Sequence, residues 1–168
     1  MIKIKVELNR SILYIPVKLW SSAENIYKNA LTVFDTGAAM TCISEKAAEI
    51  AGYEIDRTYR ARVTTGSGTI EAYYTIIPDL QLAGISIGPV LAQVIKFPDE
   101  LQASALLGLN VIKEFSVNMD FVKNTETNKT VVDIDMTPKF DITNLCTVDN
   151  FNMRSMDQRF GDICIINN

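Results

Sequence analysis

The stretch V-F-D-T-G-A, residues 33–38, places a carboxylate between an apolar run and a glycine. The two apolar residues are typical of the end of a buried strand, so Asp35 is expected where the chain leaves a sheet and turns at Gly37. A carboxylate beside a protein core is costly unless it is paired, hydrogen-bonded or used in chemistry. Gly37 permits another backbone or a ligand to approach closely, and the small Ala38 leaves space above the carboxylate. The stretch therefore predicts either a functional site or an Asx-type turn.

Histidine is absent from the 168 residues. This removes the usual general base and the commonest metal ligand, so Ser-His-Asp and Cys-His hydrolases are excluded. In a hydrolase with this sequence, carboxylates, lysine or an unusual nucleophile would have to transfer protons. We expect no metal and no other cofactor.

The composition argues against two classes of partner, nucleic acids and membranes. A formal net charge of -4 and a pI near 4.9, with lysine and arginine scattered singly, argue against nucleic acid as a partner. No apolar run has the length of a signal peptide core or of a membrane span, so we expect no membrane partner. The length suits one soluble globular domain.

Three cysteines, Cys42, Cys146 and Cys164, are an odd number without a C-x-x-C pair. This usage favours a reducing compartment, so we expect a cytoplasmic protein. Cys42 follows the D-T-G stretch closely, and we interpret it as a small buried apolar residue, because no base is near it in sequence.

Hydrophobic periodicity and turn residues predict a mostly-β domain with two short helices. The expected strands cover residues 2–8, 12–20, 30–35, 60–65, 69–77, 79–82, 85–96, 116–121 and 130–134. The first helix follows Ser44, a good N-cap residue, and ends at Gly52. The second covers residues 109–115.

Two further features follow D-T-G in the chain. A predicted hairpin over residues 64–70 has G-S-G at its tip, where glycines supply the freedom of a tight turn. The apolar pair Leu106 and Leu107, followed by Gly108, then leads into the second helix. Taken alone, the former would be an ordinary hairpin and the latter a piece of core.

In this order the three features resemble the retropepsin-like aspartic peptidases, the single-domain relatives of pepsin that include retroviral proteases. The resemblance covers roughly residues 10–135. It implies the acid-protease fold, a closed β barrel with one or two short helices, in a domain over residues 1–135. It also implies an aspartic endopeptidase that cleaves extended peptide or protein segments.

The resemblance also implies a role for each motif. Asp35 would be the catalytic carboxylate, Thr36 would join two active-site loops across a dimer axis, Gly37 would contact substrate, and Ala38 would support the loop. A flap that closes over the bound peptide would comprise Thr65, Gly66, Ser67, Gly68 and Thr69. The residues that pack beneath the D-T-G loop would be Leu106, Leu107 and Gly108.

The chemistry of this family needs two aspartates, and the chain has one D-T-G and no internal repeat. The resemblance therefore implies a homodimer, in which two copies of Asp35 meet on a two-fold axis. Two carboxylates at hydrogen-bond distance hold one proton between them. The ionised member takes a proton from the attacking water, while the protonated member donates to the scissile carbonyl oxygen.

The sequence departs from the retroviral pattern at two places. Retroviral enzymes carry an acidic residue shortly after D-T-G-A and an arginine after the second glycine, where this chain has Ala39 and Leu109. The residues 136–168 follow the expected domain as a C-terminal extension. Its apolar end, residues 163–166, is expected to add a strand at the dimer interface or to act as a regulatory tail in the cleft.

The sequence leaves two alternatives to a peptidase. A phosphoryl-transfer aspartate is disfavoured, because the lysine and threonines of a D-K-T-G-T signature are absent. A catalytically silent peptide-binding or dimerisation module with the same fold is the stronger alternative. The intact D-T-G favours the enzyme, since a binding module has no need of a costly acid pair.

Overall fold

The computed structural model describes residues 1–65 and 68–139, which form a mostly-β structure as predicted. The first strands are β1 (Ile2–Glu7), β2 (Tyr14–Ser21), β3 (Ile26–Phe34) and β4 (Thr41–Ser44). After helix α1 (Glu45–Ala51) come β5 (Asp56–Thr65), β6 (Gly68–Ile77), β7 (Leu80–Leu82), β8 (Ile85–Ser86) and β9 (Val90–Ile95). The last elements are β10 (Ala105–Leu107), helix α2 (Leu109–Ile112), β11 (Phe115–Lys123) and β12 (Thr130–Pro138).

The strands form a nine-stranded sheet and a three-stranded sheet. The larger has the order β5-β6-β9-β4-β10-β3-β2-β7-β8, and the smaller has the order β1-β12-β11. Among the residues that the structure describes, the pairings do not join β5 to β8. The closure of the larger sheet into a barrel therefore stays a prediction.

Strand β10 lies in the middle of the larger sheet, between β3 and β4. It runs parallel to β3, with Leu106 opposite Val33 and Leu107 opposite Phe34. It runs antiparallel to β4, with Leu106 opposite Cys42. Because β3 enters the D-T-G loop and β4 leaves it, one short strand holds both ends of the loop.

A continuous apolar core underlies both sheets. Side chains with almost no exposed surface come from strands on both sides of β10 and from the smaller sheet. They include Ile15, Ile43, Ile77, Leu80, Leu82, Leu107, Ile134 and Met136. The D-T-G loop is therefore attached to strands that contribute to this closely packed core.

In the smaller sheet, apolar and charged residues alternate along β1, which has one buried face and one exposed face. Ile2 and Ile4 are buried, whereas Lys3 and Lys5 are exposed on the other face. Their ammonium groups lie 4.0 and 3.5 Å from carboxylate oxygens of β12. Exposed pairs of this kind stabilise a fold by at most about 1 kcal/mol, so the buried face holds the sheet.

Helix α1 has the ends that the sequence predicts. The Oγ atom of Ser44 accepts a hydrogen bond of 3.2 Å from the backbone N–H of Ala47. Gly52 ends the helix with φ of 71°, and its N–H donates to the carbonyls of Ala48 and Glu49. A Cβ atom there would also lie 2.9 Å from Ala23, so both backbone angle and space require glycine.

The structure differs from the predicted elements at several places. Strands β4 and β10 were not predicted, and the strand expected over residues 85–96 is divided into β8 and β9, with Gly88 at φ of 80° between them. Strand β12 continues to Pro138, beyond the predicted domain end at Asp135. Residues 163–166 lie outside the described part of the chain, and the division into a domain and an extension stays a prediction.

Neither helix in the described residues has the length and apolar character needed to cross a membrane.

Candidate active site

Asp35 stands at the end of β3, where the loop to β4 begins. Its backbone N–H donates to the carbonyl of Leu107 at 3.1 Å, which continues the pairing of β3 with β10 by one residue. Its Oδ1 atom accepts a hydrogen bond of 2.8 Å from the N–H of Gly37. This bond is the Asx-type turn that the sequence allowed, and Asp35 is half-buried.

The residues that follow Asp35 differ in how far they are exposed to solvent. Thr36 and Gly37 are exposed, whereas Ala38 is half-buried. A Cβ atom on Gly37 would lie 3.1 Å from Oδ1 of Asp35, so a side chain there would crowd the carboxylate. The contacts of Thr36 and Gly37 with a second chain or a substrate stay predictions.

The middle of the loop is held by the first turn of helix α2. The N–H of Leu109 donates to the carbonyl of Ala38 at 2.8 Å, and the N–H of Asn110 donates to the carbonyl of Ala39 at 3.0 Å. N–H groups in the first turn of a helix have no partner inside the helix. Here they satisfy loop carbonyls, so the loop and the helix form one hydrogen-bonded unit.

The end of the loop is held by a side chain that the sequence analysis missed, that of Asn110. Its Oδ1 atom accepts from the N–H of Thr41 at 2.7 Å and from Oγ1 of Thr41 at 2.8 Å. Its Nδ2 atom donates to the carbonyl of Leu91 at 3.0 Å. The carboxamide thus connects α2, the first residue of β4 and strand β9.

Gly108 completes this arrangement by close approach. Its N–H donates to Oγ1 of Thr41 at 3.2 Å. A Cβ atom at Gly108 would lie 2.4 Å from the carbonyl carbon of Met40 and 2.8 Å from the nitrogen of Thr41. Distances below 3.0 Å are not tolerated against backbone, so only glycine lets α2 approach the loop. Leu106 and Leu107 pair with the end of β3, and Gly108 lies against Met40 and Thr41, whereas the packing of the three residues beneath the D-T-G loop stays a prediction.

One feature of the sequence is consistent with the supporting role of Asn110. It is the polar residue in L-N-V-I, where the following Val111 and Ile112 are buried. A carboxamide in the first turn of an apolar helix has to find partners. Sequence alone does not say that these partners come from β4 and β9, which are remote in the chain.

Cys42 lies one residue beyond Thr41 and is buried, as predicted. Burial raises the pKa of its thiol to about 11, and the negative charge of Asp35 adds to this rise. A thiol with a raised pKa is a poor nucleophile at neutral pH. Cys42 is therefore a buried residue of the site, and it lies near enough to Asp35 for the carboxylate charge to raise the pKa of its thiol.

The predicted hairpin is present between β5 and β6. Thr64 lies opposite Thr69 and Thr65 opposite Gly68, and Oγ1 of Thr65 donates to the carbonyl of Gly68 at 2.9 Å. Gly66 and Ser67, the tip residues, lie outside the described part of the chain. The hairpin connects to the loop through β9 and β4, and its closure over Asp35 stays a prediction.

The chain segments that form and hold the D-T-G loop contain no charged residue except Asp35. Residues 29–44 and 101–112, which supply the end of β3, the loop, β4, β10 and α2, contain Asp35 as their single charged residue. Within the described residues, no cluster of three or more cysteine, aspartate or glutamate side chains could hold a metal ion. The loop and the elements that hold it therefore present one carboxylate on uncharged segments of the chain, which suits proton transfer at a defined point.

Comparisons with known proteins place these residues in a wider context. A family model described as "gag-polyprotein putative aspartyl protease" matches residues 28–114, more than half of the chain. A retropepsin-like aspartic protease from Rickettsia conorii is similar at 18% identity over 80% of this chain and 93% of that chain, with a TM-score of 0.47. The retroviral protease-like domain of Ddi1 from Leishmania major is similar at 18% identity over 76% and 95%, with a TM-score of 0.40. No curated protein sequence matches the chain.

Proposed function

Because the chain belongs to the retropepsin-like aspartyl protease family described by the gag-polyprotein model, we propose that it is an aspartic endopeptidase active as a homodimer. The observation that carries this proposal is the position of Asp35. Its carboxylate is half-buried at the start of a loop that β10 and α2 hold at both ends. Catalytic side chains need such support, because small displacements of a reacting group cost rate.

In this proposal a second copy of the chain supplies the second carboxylate that the reaction needs. One carboxylate cannot both accept a proton from water and donate one to the carbonyl oxygen in the same step. Two copies of Asp35 on a two-fold axis would hold one proton between them, because two adjacent negative charges repel. The ionised copy then activates water, the protonated copy polarises the scissile carbonyl, and the proton positions reverse as the amine leaves.

The substrate of this proposed enzyme is a peptide in extended conformation. The hairpin between β5 and β6 is a two-stranded projection, and extended peptides bind to such elements by backbone hydrogen bonding. Thr65 and Thr69, at its described end, would face the bound chain in part, together with Gly66, Ser67 and Gly68. Closure of such a flap excludes water from the reacting atoms.

One observation favours a second candidate, a silent peptide-binding or dimerisation module. The bond from Gly37 N–H to Asp35 Oδ1 provides the carboxylate with a structural use that needs no catalysis. The two candidates differ in one measurable property. The module binds peptides and leaves them intact.

The deciding experiment is incubation of the purified chain with a diverse peptide mixture, with and without pepstatin, followed by mass spectrometry of the products. We expect new peptide termini that pepstatin suppresses. Peptides that bind and stay uncleaved at every pH between 4 and 8 would favour the silent module.

A further inference from the structure

Strand β11 forms one edge of the smaller sheet, and its apolar face is only partly covered. Three of its residues share that face and are here named the β11 stripe: Val117, Met119 and Phe121. Their partners across the ladder to β12 have at most 1% of their surface exposed. In contrast, Val117 and Met119 are half-buried and Phe121 is 58% exposed. The described residues therefore leave an apolar stripe at the edge of the sheet partly in water.

The backbone on the outer side of β11 is also available for pairing. Within residues 1–65 and 68–139, the only strand that pairs with β11 is β12. An edge strand accepts a further strand through its unpaired N–H and C=O groups. The opposite edge, β1, differs, because Ile2 and Ile4 on its apolar face are already buried. Thus β11 is the edge at which a further strand would cover exposed apolar side chains.

The chain leaves the described structure beside the start of β11. Pro138 is paired with Phe115, and the backbone N–H of Lys139 donates to the carbonyl of Glu114 at 2.9 Å. The sequence continues for 29 residues beyond Lys139. Its residues 140–162 span at most about 75 Å when extended, whereas the nine residues of β11 are about 30 Å long. The segment that follows residue 162 can therefore reach any part of the β11 edge, in either strand direction.

This segment, residues 163–166, has the sequence of a short strand. It reads I-C-I-I and lies between G-D and N-N, which are typical of turns. Successive side chains of a strand point to opposite faces, so Ile163 and Ile165 would share one face and Cys164 the other. Two β-branched side chains two residues apart match the spacing of the β11 stripe.

We propose that residues 163–166 pair with the free edge of β11 in the same chain, with Ile163 and Ile165 on the β11 stripe. The occupant is this segment, because Lys139 fixes the start of its connection beside β11. Such a connection gives the segment a high effective concentration at that edge. The added strand covers an apolar edge that would otherwise favour association between chains. This assignment does not depend on catalysis by Asp35.

Disulfide trapping in the full chain tests the proposal. With Ile163 and Ile165 on the β11 stripe, Cys164 lies on the opposite face of the sheet, where β11 presents three exposed side chains, those of Asn118, Asp120 and Val122. Opposite Cα atoms on neighbouring strands lie about 4.5–5.5 Å apart, a distance that a disulfide spans.

The engineered chains carry Cys146→Ser, which removes the other cysteine of residues 140–168. We expect an intramolecular disulfide to Cys164, formed by diamide in dilute protein, in at least one of three variants: Asn118→Cys, Asp120→Cys and Val122→Cys. Mass spectrometry without reduction identifies the linked peptides.

Ile50→Cys in the same background is the matched control, because Ile50 is 56% exposed and lies on α1, outside the smaller sheet. Its disulfide with Cys164 should form at least about tenfold more slowly than that of the best β11 variant. Disulfides that join two chains would show that a second copy occupies the edge and would overturn the proposal. Trapping on β11 that is no faster than in the control would overturn it as well.

Hydrogen exchange in the full chain gives a second readout without engineered cysteines. Ile163→Asp combined with Ile165→Asp places two charges where the proposal has apolar contacts. We expect the amides on the free edge of β11 to exchange at least about tenfold faster in this variant, with β4 and β10 unchanged. Asn167→Asp combined with Asn168→Asp adds the same charge and should leave β11 as in the wild type. Equal exchange of β11 in the wild type and in the isoleucine variant would show that the segment does not cover this edge.

Discussion

The Oδ1 atom of Asn110 receives two hydrogen bonds from one residue, Thr41, at 2.7 Å from its backbone nitrogen and 2.8 Å from its Oγ1 atom. The two residues are 69 positions apart in the chain. Thr41 begins the strand that leaves the D-T-G loop, and Asn110 belongs to the helix that supports the loop. Their bonds therefore hold the loop at the end opposite to Asp35.

We predict that Asn110→Ala lowers both stability and cleavage. It leaves the partly buried N–H of Thr41 without its acceptor, which costs about 1–3 kcal/mol in unfolding free energy. The loss of loop support should reduce kcat more than it raises KM, because the displaced group is Asp35 and not a substrate contact. Urea unfolding and steady-state kinetics measure the two effects.

Asn118 is the control for this prediction, since it is an exposed asparagine on β11, in the other sheet. Asn118→Ala should change unfolding free energy by less than about 0.5 kcal/mol. A fully active Asn110→Ala enzyme with normal stability would show that the carboxamide does not support the loop.

Asp35→Asn should abolish cleavage and preserve the fold. The amide oxygen of asparagine can still accept the N–H of Gly37, so the turn persists, whereas the amide cannot exchange the proton that catalysis needs. We expect a fall in kcat/KM of at least about a hundredfold, with unchanged circular dichroism. Asp99→Asn, at an exposed loop carboxylate, serves as the control. Undiminished cleavage by folded Asp35→Asn protein would contradict the assignment of Asp35.

Dilution should lower the specific activity of the wild-type protein. If the site forms from two chains, activity follows the dimer fraction and falls through the dissociation constant. The measurement is the initial rate per protomer across at least three decades of protein concentration. A constant rate per protomer, combined with monomeric sedimentation over the same range, would exclude a shared site.

Gly108→Ala should be more destabilising than Gly84→Ala. An alanine Cβ at Gly108 meets the backbone of Met40 at 2.4 Å, which separates α2 from the loop and should cost about 3 kcal/mol or more. Gly84 has open space around it and a φ of 83°, so alanine there costs only the left-handed strain of about 1–2 kcal/mol. Equal unfolding free energies for the two variants would argue against the close approach of helix and loop.

The free energy of unfolding should fall at alkaline pH, in part because the thiol of Cys42 loses its proton. Burial and Asp35 raise the pKa of this thiol from 9.0 to about 11, so the unfolded chain releases its proton first. The stabilisation is complete below pH 9 and is lost between pH 9 and about 11, by about 2–3 kcal/mol in total.

Cys42→Val is the variant that tests this dependence, because it keeps an apolar side chain and removes the titrating group. Urea unfolding at pH 8, 9, 10 and 11 should show a smaller alkaline loss in the variant than in the wild type. Tyr53, whose pKa burial raises to about 12, is present in both proteins and cancels in the comparison. Parallel pH curves would show that Cys42 titrates normally.

Local signals predicted the elements that depend on local chemistry. Ser44 and Gly52 indicated helix α1, because an N-cap hydroxyl and a left-handed glycine act within a few residues. The alternating apolar and charged residues of β1 and the glycines of G-S-G likewise indicated a strand and a hairpin. The position of Asp35 at a strand end followed from two apolar residues and one glycine.

The elements that sequence analysis missed are defined by distant partners. Strands β4 and β10 contain four and three residues, too few to show a period. They are strands because β10 inserts between β3 and β4, and β4 pairs with β9. The role of Asn110 was hidden for the same reason, since its acceptor and donor atoms meet residues from two other strands.

The pairing of β1 with β12 has a consequence for how the chain is made. Ile2, Ile4 and Val6 lie opposite Met136, Ile134 and Val132, so β1 finds its ladder partner in the last described strand. A nascent chain on the ribosome must therefore keep this apolar segment unpaired until about 130 further residues have emerged. The alternating lysines of β1 are suited to that interval, because charge on an unpaired strand opposes association with other nascent chains.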